Sequence, residues 1–177
     1  MNGGAPEGEE QKLFYALLGQ AVEHWSHVED ALCDVFVASI GIDLTDEDNC
    51  TVGAAGFYAV LSFEAKLSMT HATVCARFQD LTLDPPRPHP LRVRWLTLHN
   101  RAINGGQTRN KLAHYQARTV AGTPGHRFEL RPRNYGTDNT SRFRLNELQG
   151  AVRTFSRLTV DLTVFADSIP TQRACDC

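Results

Sequence analysis

The chain contains no apolar run of the roughly 18 residues that a membrane-spanning helix requires. It also lacks the opening of a secretory signal. Met1-Asn2-Gly3-Gly4-Ala5-Pro6-Glu7-Gly8-Glu9-Glu10 is acidic and glycine-rich, the reverse of a basic segment followed by an apolar one. These two absences predict a soluble, intracellular protein of the cytoplasm with no membrane partner. Several chemical signatures are missing as well: the phosphate-cradling loop G-x-x-x-x-G-K-S/T, a G-x-G-x-x-G after a strand, the nucleophile turn G-x-S-x-G and any C-x-x-C pair. P-loop, dinucleotide and serine-hydrolase chemistry therefore find no support, and no cofactor is expected.

Cysteine is sparse and odd in number, with five residues at positions 33, 50, 75, 175 and 177. Two of the five fall inside apolar helical patterns, where a thiol acts as a small hydrophobe, and the usage suits a reducing compartment. Cys175 and Cys177 would bind a soft metal or form a disulfide only if ordered, and a short tail after Pro170 is expected to be flexible.

Acidic residues are scarce in one place. Residues 1–84 hold 3 Lys/Arg against 14 Asp/Glu, residues 85–144 hold 12 against 2, and residues 145–177 hold 3 against 4. The net charge of -2 thus conceals a strongly basic middle. Such a block can neutralise phosphates and release their counterions, which points to a polyanionic partner. It can equally be cancelled from within by the acidic first helices.

At 177 residues and 42% hydrophobic composition, one domain with a sizeable core is the expectation. We assign it to residues 11–170, with flexible ends at 1–10 and 171–177. From Lys12 to Ile40, apolar residues recur at three- and four-residue steps (Phe14, Leu17, Leu18, Ala21, Trp25, Val28, Leu32), and Gly41 stands where a helix ends. A second helix is predicted from about Val52 to Asp80. The four prolines of segment 84–90 make a stiff connector. A third helix follows from about Leu91 to about Ala117, bent around Asn104-Gly105-Gly106. Gln116–Val120 and His126–Leu130 read as a hairpin, and the last helix spans about Leu145 to Ile169, capped by Asn146 or Ser141. The fold class is all-α: a helical bundle of about four to five helices, with a short hairpin or loop insertion before the last.

The candidate site is Arg109-Asn110-Lys111-Leu112-Ala113-His114, at the end of the third helix. In a helix Asn110 and His114 lie about 40° apart around the axis, whereas Arg109 lies about 140° from His114, so only its long side chain brings its head back. An imidazole that titrates near neutral pH can move a proton to or from a ribose 2′-hydroxyl or a leaving oxygen. A permanently charged planar guanidinium can stabilise charge on a phosphoryl group. One such pair contributes little, because acid–base catalysis supplies about 10²- to 10⁴-fold; two copies joined by a two-fold axis supply more.

The hexapeptide resembles the R-x4-6-H motif of HEPN domains, in which the arginine is often followed by asparagine and the spacer is partly apolar. His24-Trp25-Ser26-His27-Val28-Glu29-Asp30-Ala31-Leu32 is similar to the opening helix of some members. The resemblance implies an all-α bundle, a homodimer whose cleft joins both motifs, and metal-independent endoribonuclease activity, commonly in a toxin or defence effector paired with an antitoxin or regulatory protein. It also implies that many members are non-catalytic dimerisation modules that bind RNA, a nucleotide or an antitoxin.

On these grounds the catalytic candidates are His114, Arg109 and Asn110. Glu29, Asp30 and Tyr115 are possible supporting residues: the two acids by orienting Arg109 or His114, the tyrosine by stacking a base, although each also suits ordinary packing or a polar face. Arg127, Arg131, Arg133, Arg142 and Arg144, with Tyr135, form a candidate RNA-tracking surface. His24 and His27, three apart beside Glu23, have a spacing compatible with metal ligands, but no second half of a site accompanies them, and no metal is assigned.

Overall fold

The computed structural model describes residues 7–79, 88–120, 128–132 and 142–170. Among these lie five helices and a two-stranded antiparallel ribbon placed before the last helix, the all-α class expected from the sequence. The expected connector at 84–90 lies largely outside the described residues. The hairpin turn at 121–125, Ser141 and the tail 171–177 lie wholly outside them.

Helix α1, Glu7–Ser39, starts earlier than the periodicity indicated and closes as expected: Gly41 takes φ 93°, open to glycine at little cost. The single second helix predicted for 52–80 is two. Helix α2, Glu47–Tyr58, begins at Asp46, whose carboxylate accepts the Asn49 amide at 3.1 Å. Helix α3, Phe63–Arg77, begins at Ser62, whose hydroxyl accepts the Ala65 amide at 3.1 Å. Gly53 is not a helix breaker here. A Cβ at that position would lie 3.1 Å from both Val37 Cγ2 and Ile42 Cδ1, so its lack of a side chain lets α2 approach α1.

Helix α4, Pro90–His114, runs unbroken through Gly105 and Gly106, which corrects the expected bend. Each glycine costs about 1 kcal/mol in a helix interior. Both glycines and Ala102 are buried. The helix ends three residues before Ala117, where strand pairing takes over. Strand β1, Gln116–Thr119, pairs with β2, Phe128–Arg131, in the register Gln116↔Arg131 to Thr119↔Phe128. Helix α5, Leu145–Asp167, is not capped by Asn146, which lies within its first turn. The Glu147 carboxylate reaches back to accept the Arg144 amide at 2.8 Å, the reciprocal half of a capping box.

The chain forms two compact units, the first from the described residues of 1–26 and 107–156, the second from those of 27–106 and 157–170. In the first, Phe14 meets Phe128 at 6.0 Å between ring centroids, and Trp25 lies edge-on to Phe155 at 5.1 Å. Leu112, Leu130 and Leu148 are buried with them. In the second, Trp95 stacks on Phe165 at 5.6 Å and Phe36 meets Phe57 at 5.8 Å. Each such ring, fully withdrawn from water, contributes about 1.5–3 kcal/mol before entropy is charged against it.

Candidate functional site

The hexapeptide occupies the last two turns of α4 in the first unit. Leu112 points inward and is buried, which fixes the helix's rotation. Asn110 and His114 lie roughly 160–170° around the axis from Leu112 and therefore face solvent, and both are exposed. Arg109 is exposed on one flank and Lys111 on the other. Arg109 Nη1 donates to Asn110 Oδ1 at 3.3 Å, a weak contact that ties the first two motif residues together. Among the described residues no hydrogen bond joins Arg109 to His114. Lys111 and His114 are the basic residues of the helix's last turn, where the partial negative charge of the carbonyl end favours cations.

Immediately beyond His114 the chain turns into the ribbon. Tyr115 is half-buried, its amide donating to the Lys111 carbonyl at 2.9 Å and its ring edge-on to Phe143 at 6.2 Å. Phe143 and Leu130 exchange both backbone hydrogen bonds, at 2.9 and 3.1 Å, so residues around 143 form a third short rung beside β2. Side chains alternate across this small sheet. Phe128 and Leu130 share one face, the former against Phe14. Gln116, Arg118, Glu129 and Arg131 share the other.

That polar face has a centre that the sequence did not reveal. Glu129 is fully buried. Its Oε1 pairs with Arg131 Nε, and its Oε2 lies 3.7 Å from Arg144 Nε. Arg118 stands directly across the ladder. Glu129 Oε2 and Arg144 Nε are both buried without a hydrogen-bond partner. Two of the arginines expected on an RNA track are thus anchored on a carboxylate, while the Arg142 side chain is exposed. Arg127 and Arg133 lie outside the described residues, as do Tyr135, Cys175 and Cys177. One signal was available: Glu129 is one of only two acidic residues between 85 and 144.

Glu29 and Asp30 belong to the second unit, whereas the motif belongs to the first. Glu29 pairs with Lys66 at 3.1 Å. The Lys66 ammonium is buried over the rings of Phe57 and Tyr58, at 5.2 and 4.9 Å. Asp30 accepts the Tyr58 hydroxyl at 2.5 Å, and burial together with that bond pushes the phenol above its usual range. His24 is half-buried and His27 exposed, and among the described residues no group of three or more His, Cys, Asp or Glu is arranged to hold a metal. The second unit also holds a polar cluster that sequence reasoning missed. His71 and His99 face each other at 4.2 Å, with Cys75 Sγ 3.6 Å from His71 Nε2. These residues sit on two helices, and no spacing in the sequence links them.

No family model matches this chain, and neither a characterised protein nor a solved structure does. The functional reading therefore stands on the hexapeptide and its surroundings.

Proposed function

We propose that this protein is a HEPN-like, metal-independent endoribonuclease of the toxin or defence-effector kind, active as a homodimer. In this reading His114 moves the proton of a ribose 2′-hydroxyl as its oxygen attacks the adjacent phosphorus. The P–O5′ bond breaks, the leaving oxygen takes a proton, and the strand ends in a 2′,3′-cyclic phosphate and a 5′-hydroxyl. Arg109 stabilises the charge that builds on the phosphoryl oxygens, and Asn110, bonded to it, positions the phosphate. The second copy supplies the second His–Arg pair and the water exclusion that an exposed helix end lacks.

The observation that carries this reading is the setting of the motif within one compact unit. The solvent-facing Asn110 and His114 end a helix that leads through Tyr115, edge-on to Phe143, into a small sheet whose opposite face carries Arg118 and Arg131. A general acid–base group, an aromatic ring and a row of guanidiniums are what single-stranded RNA requires. Incubating the pure protein with single-stranded RNA in EDTA tests it: the expected products carry cyclic-phosphate ends, and intact RNA after hours contradicts catalysis.

One observation favours a second reading, a non-catalytic HEPN-like module that dimerises and binds RNA, a nucleotide or an antitoxin. Arg109 and His114 are exposed and not bonded to each other, an arrangement that serves binding as well as chemistry. Under that reading RNA binds with steep salt dependence and stays whole.

A further inference from the structure

We infer that the outer face of α2, together with Leu61 just beyond it, is a docking surface for a basic amphipathic helix of a partner protein. This surface lies in the second unit and is acidic where residues 85–144 are basic, so it stands apart from the RNA reading.

Beyond its first turn α2 is apolar all round. From Val52 to Leu61 no side chain is charged, and Tyr58 alone carries a polar atom. A helix of that composition is ordinarily covered on every side. Here one side is covered: Gly53 and Phe57 are buried, Phe57 against Phe36 of α1. At about 100° per residue, Val52, Ala55, Gly56 and Ala59 fall on the opposite side, and all four are exposed, Val52 at 72%. A Cβ at Gly56 would meet nothing within 4 Å, so the middle of this face is open. Leu61, two residues past Ala59, is 98% exposed. Single apolar side chains at a surface need no explanation, but a run of them ending in a bare leucine marks a site of association.

The border of this face selects the partner. Glu47 and Asp48 are exposed at the start of α2, Glu64 is exposed in the first turn of α3, and Asp30, on α1, holds the Tyr58 hydroxyl at the flank. Between residues 13 and 76 the only Lys or Arg is Lys66, and its ammonium is buried in the pair with Glu29. Carboxylates therefore stand at both ends of the apolar run, and neither α2 nor α3 exposes a Lys or Arg. Such a border repels nucleic acid and anionic lipid and draws in lysine- or arginine-bearing partners. An amphipathic helix supplies both requirements at once, with apolar anchors at i, i+3, i+4 and i+7 for the face and basic residues beside them for the carboxylates. The missing side chain at Gly56 lets that helix come close to the α2 backbone.

The probe is a fluorescein-labelled synthetic helical peptide of leucine and lysine, compared by anisotropy with the same peptide carrying glutamate in place of lysine. The intact protein should bind the lysine peptide saturably, more weakly as salt rises, and should not bind the glutamate peptide. Leu61→Ser should weaken binding about tenfold, the scale of one leucine fully withdrawn from water, and leave the Tm unchanged because the side chain is already in water. Gly56→Gln separates docking from folding. It puts a better helix former at an open position, so the Tm should hold or rise, while the added side chain occupies the partner's place and binding falls. Glu47→Gln, Asp48→Asn and Glu64→Gln combined should remove most of the salt dependence.

Wild-type affinity in Leu61→Ser or Gly56→Gln, equal binding of the two peptides, or no saturable binding of the lysine peptide would overturn the inference. A second copy of this chain is the competing occupant, and sedimentation equilibrium detects it. If Leu61→Ser and Gly56→Gln dissociate an oligomer that the wild type forms, the face belongs to self-association and the assignment to a basic partner helix falls. The same assembly state in the wild type and both variants, together with the binding losses above, supports the assignment. Cleavage of RNA is read separately, from His114→Ala, and stands or falls without regard to these results.

Discussion

The indole N–H of Trp95 donates to His71 Nδ1 at 3.2 Å, from a tryptophan with no solvent exposure. Indole is a donor only, so His71 Nδ1 must offer its lone pair, and the ring's hydrogen sits on Nε2, toward Cys75. His99 lies against the same ring, and burial first, then the neighbouring His71, lowers its pKa; a hydrogen bond that His99 donates to Asn100 acts the other way.

Stability should therefore fall in mild acid. A histidine whose folded pKa is depressed below its unfolded value of about 6.5 costs nothing above that pH, since both states are neutral. As pH drops below about 6.5 the unfolded chain takes the proton first, and folding loses ground until the folded pKa is passed. The melting temperature should decline from pH 7.5 to 5.5, and His99→Phe should flatten part of the decline. An unchanged slope in that variant would remove His99 from the account.

The Lys66–Glu29 pair gives a second prediction, on stability alone. Lys66 is buried over two aromatic rings, so Lys66→Ala removes a cation from beneath Glu29 and leaves a gap under Phe57 and Tyr58. Breaking a buried pair costs about 3–5 kcal/mol, and because the Glu29 side chain keeps 21% exposure, about 3 is expected here. Lys66→Met paired with Glu29→Gln should restore most of it, because the site is lined by aromatic carbon. Urea unfolding measures both, and a loss under about 1 kcal/mol for Lys66→Ala would show the pair to be inconsequential.

Cys33 should be inert. Burial, reinforced by the negative charges of Asp34 and Asp30, pushes its thiol up to about 12, so almost no thiolate exists at pH 8. Peptide mapping after iodoacetamide treatment should find Cys33 unmodified in the folded protein and modified in urea. Equal labelling in both conditions would contradict its placement in the core.

The helices that were legible in the sequence are those whose packing follows one unbroken period. Phe14 through Val35 and Leu148 through Phe165 are buried at most of the expected steps, with Leu18 and Val152 half-buried. The division between α2 and α3 was hidden because Val60 and Leu61 continue the apolar pattern, yet Leu61 is 98% exposed and Ser62 begins a new helix. Glu129 was hidden for a different reason. In Phe128-Glu129-Leu130-Arg131 an acidic residue occupies the position a solvent-facing side chain would take, and what buries it includes Arg144, a partner that no local pattern connects to it. The hexapeptide was legible as a string and as a helix end, but its setting beside the Tyr115–Phe143 contact came only from the fold.

Cleavage by the intact protein and two variants addresses the central claim most directly. Wild type, His114→Ala and Arg109→Ala, each purified and incubated with single-stranded RNA in EDTA, should give cleavage by the wild type alone. All three should share the same helical circular dichroism, since both side chains are exposed at the end of α4. The loss on removing His114 should be about 10²-fold or more, the scale of a general acid–base group. Undiminished cleavage by either variant, with the fold intact, would contradict the assignment of this hexapeptide as the catalytic site.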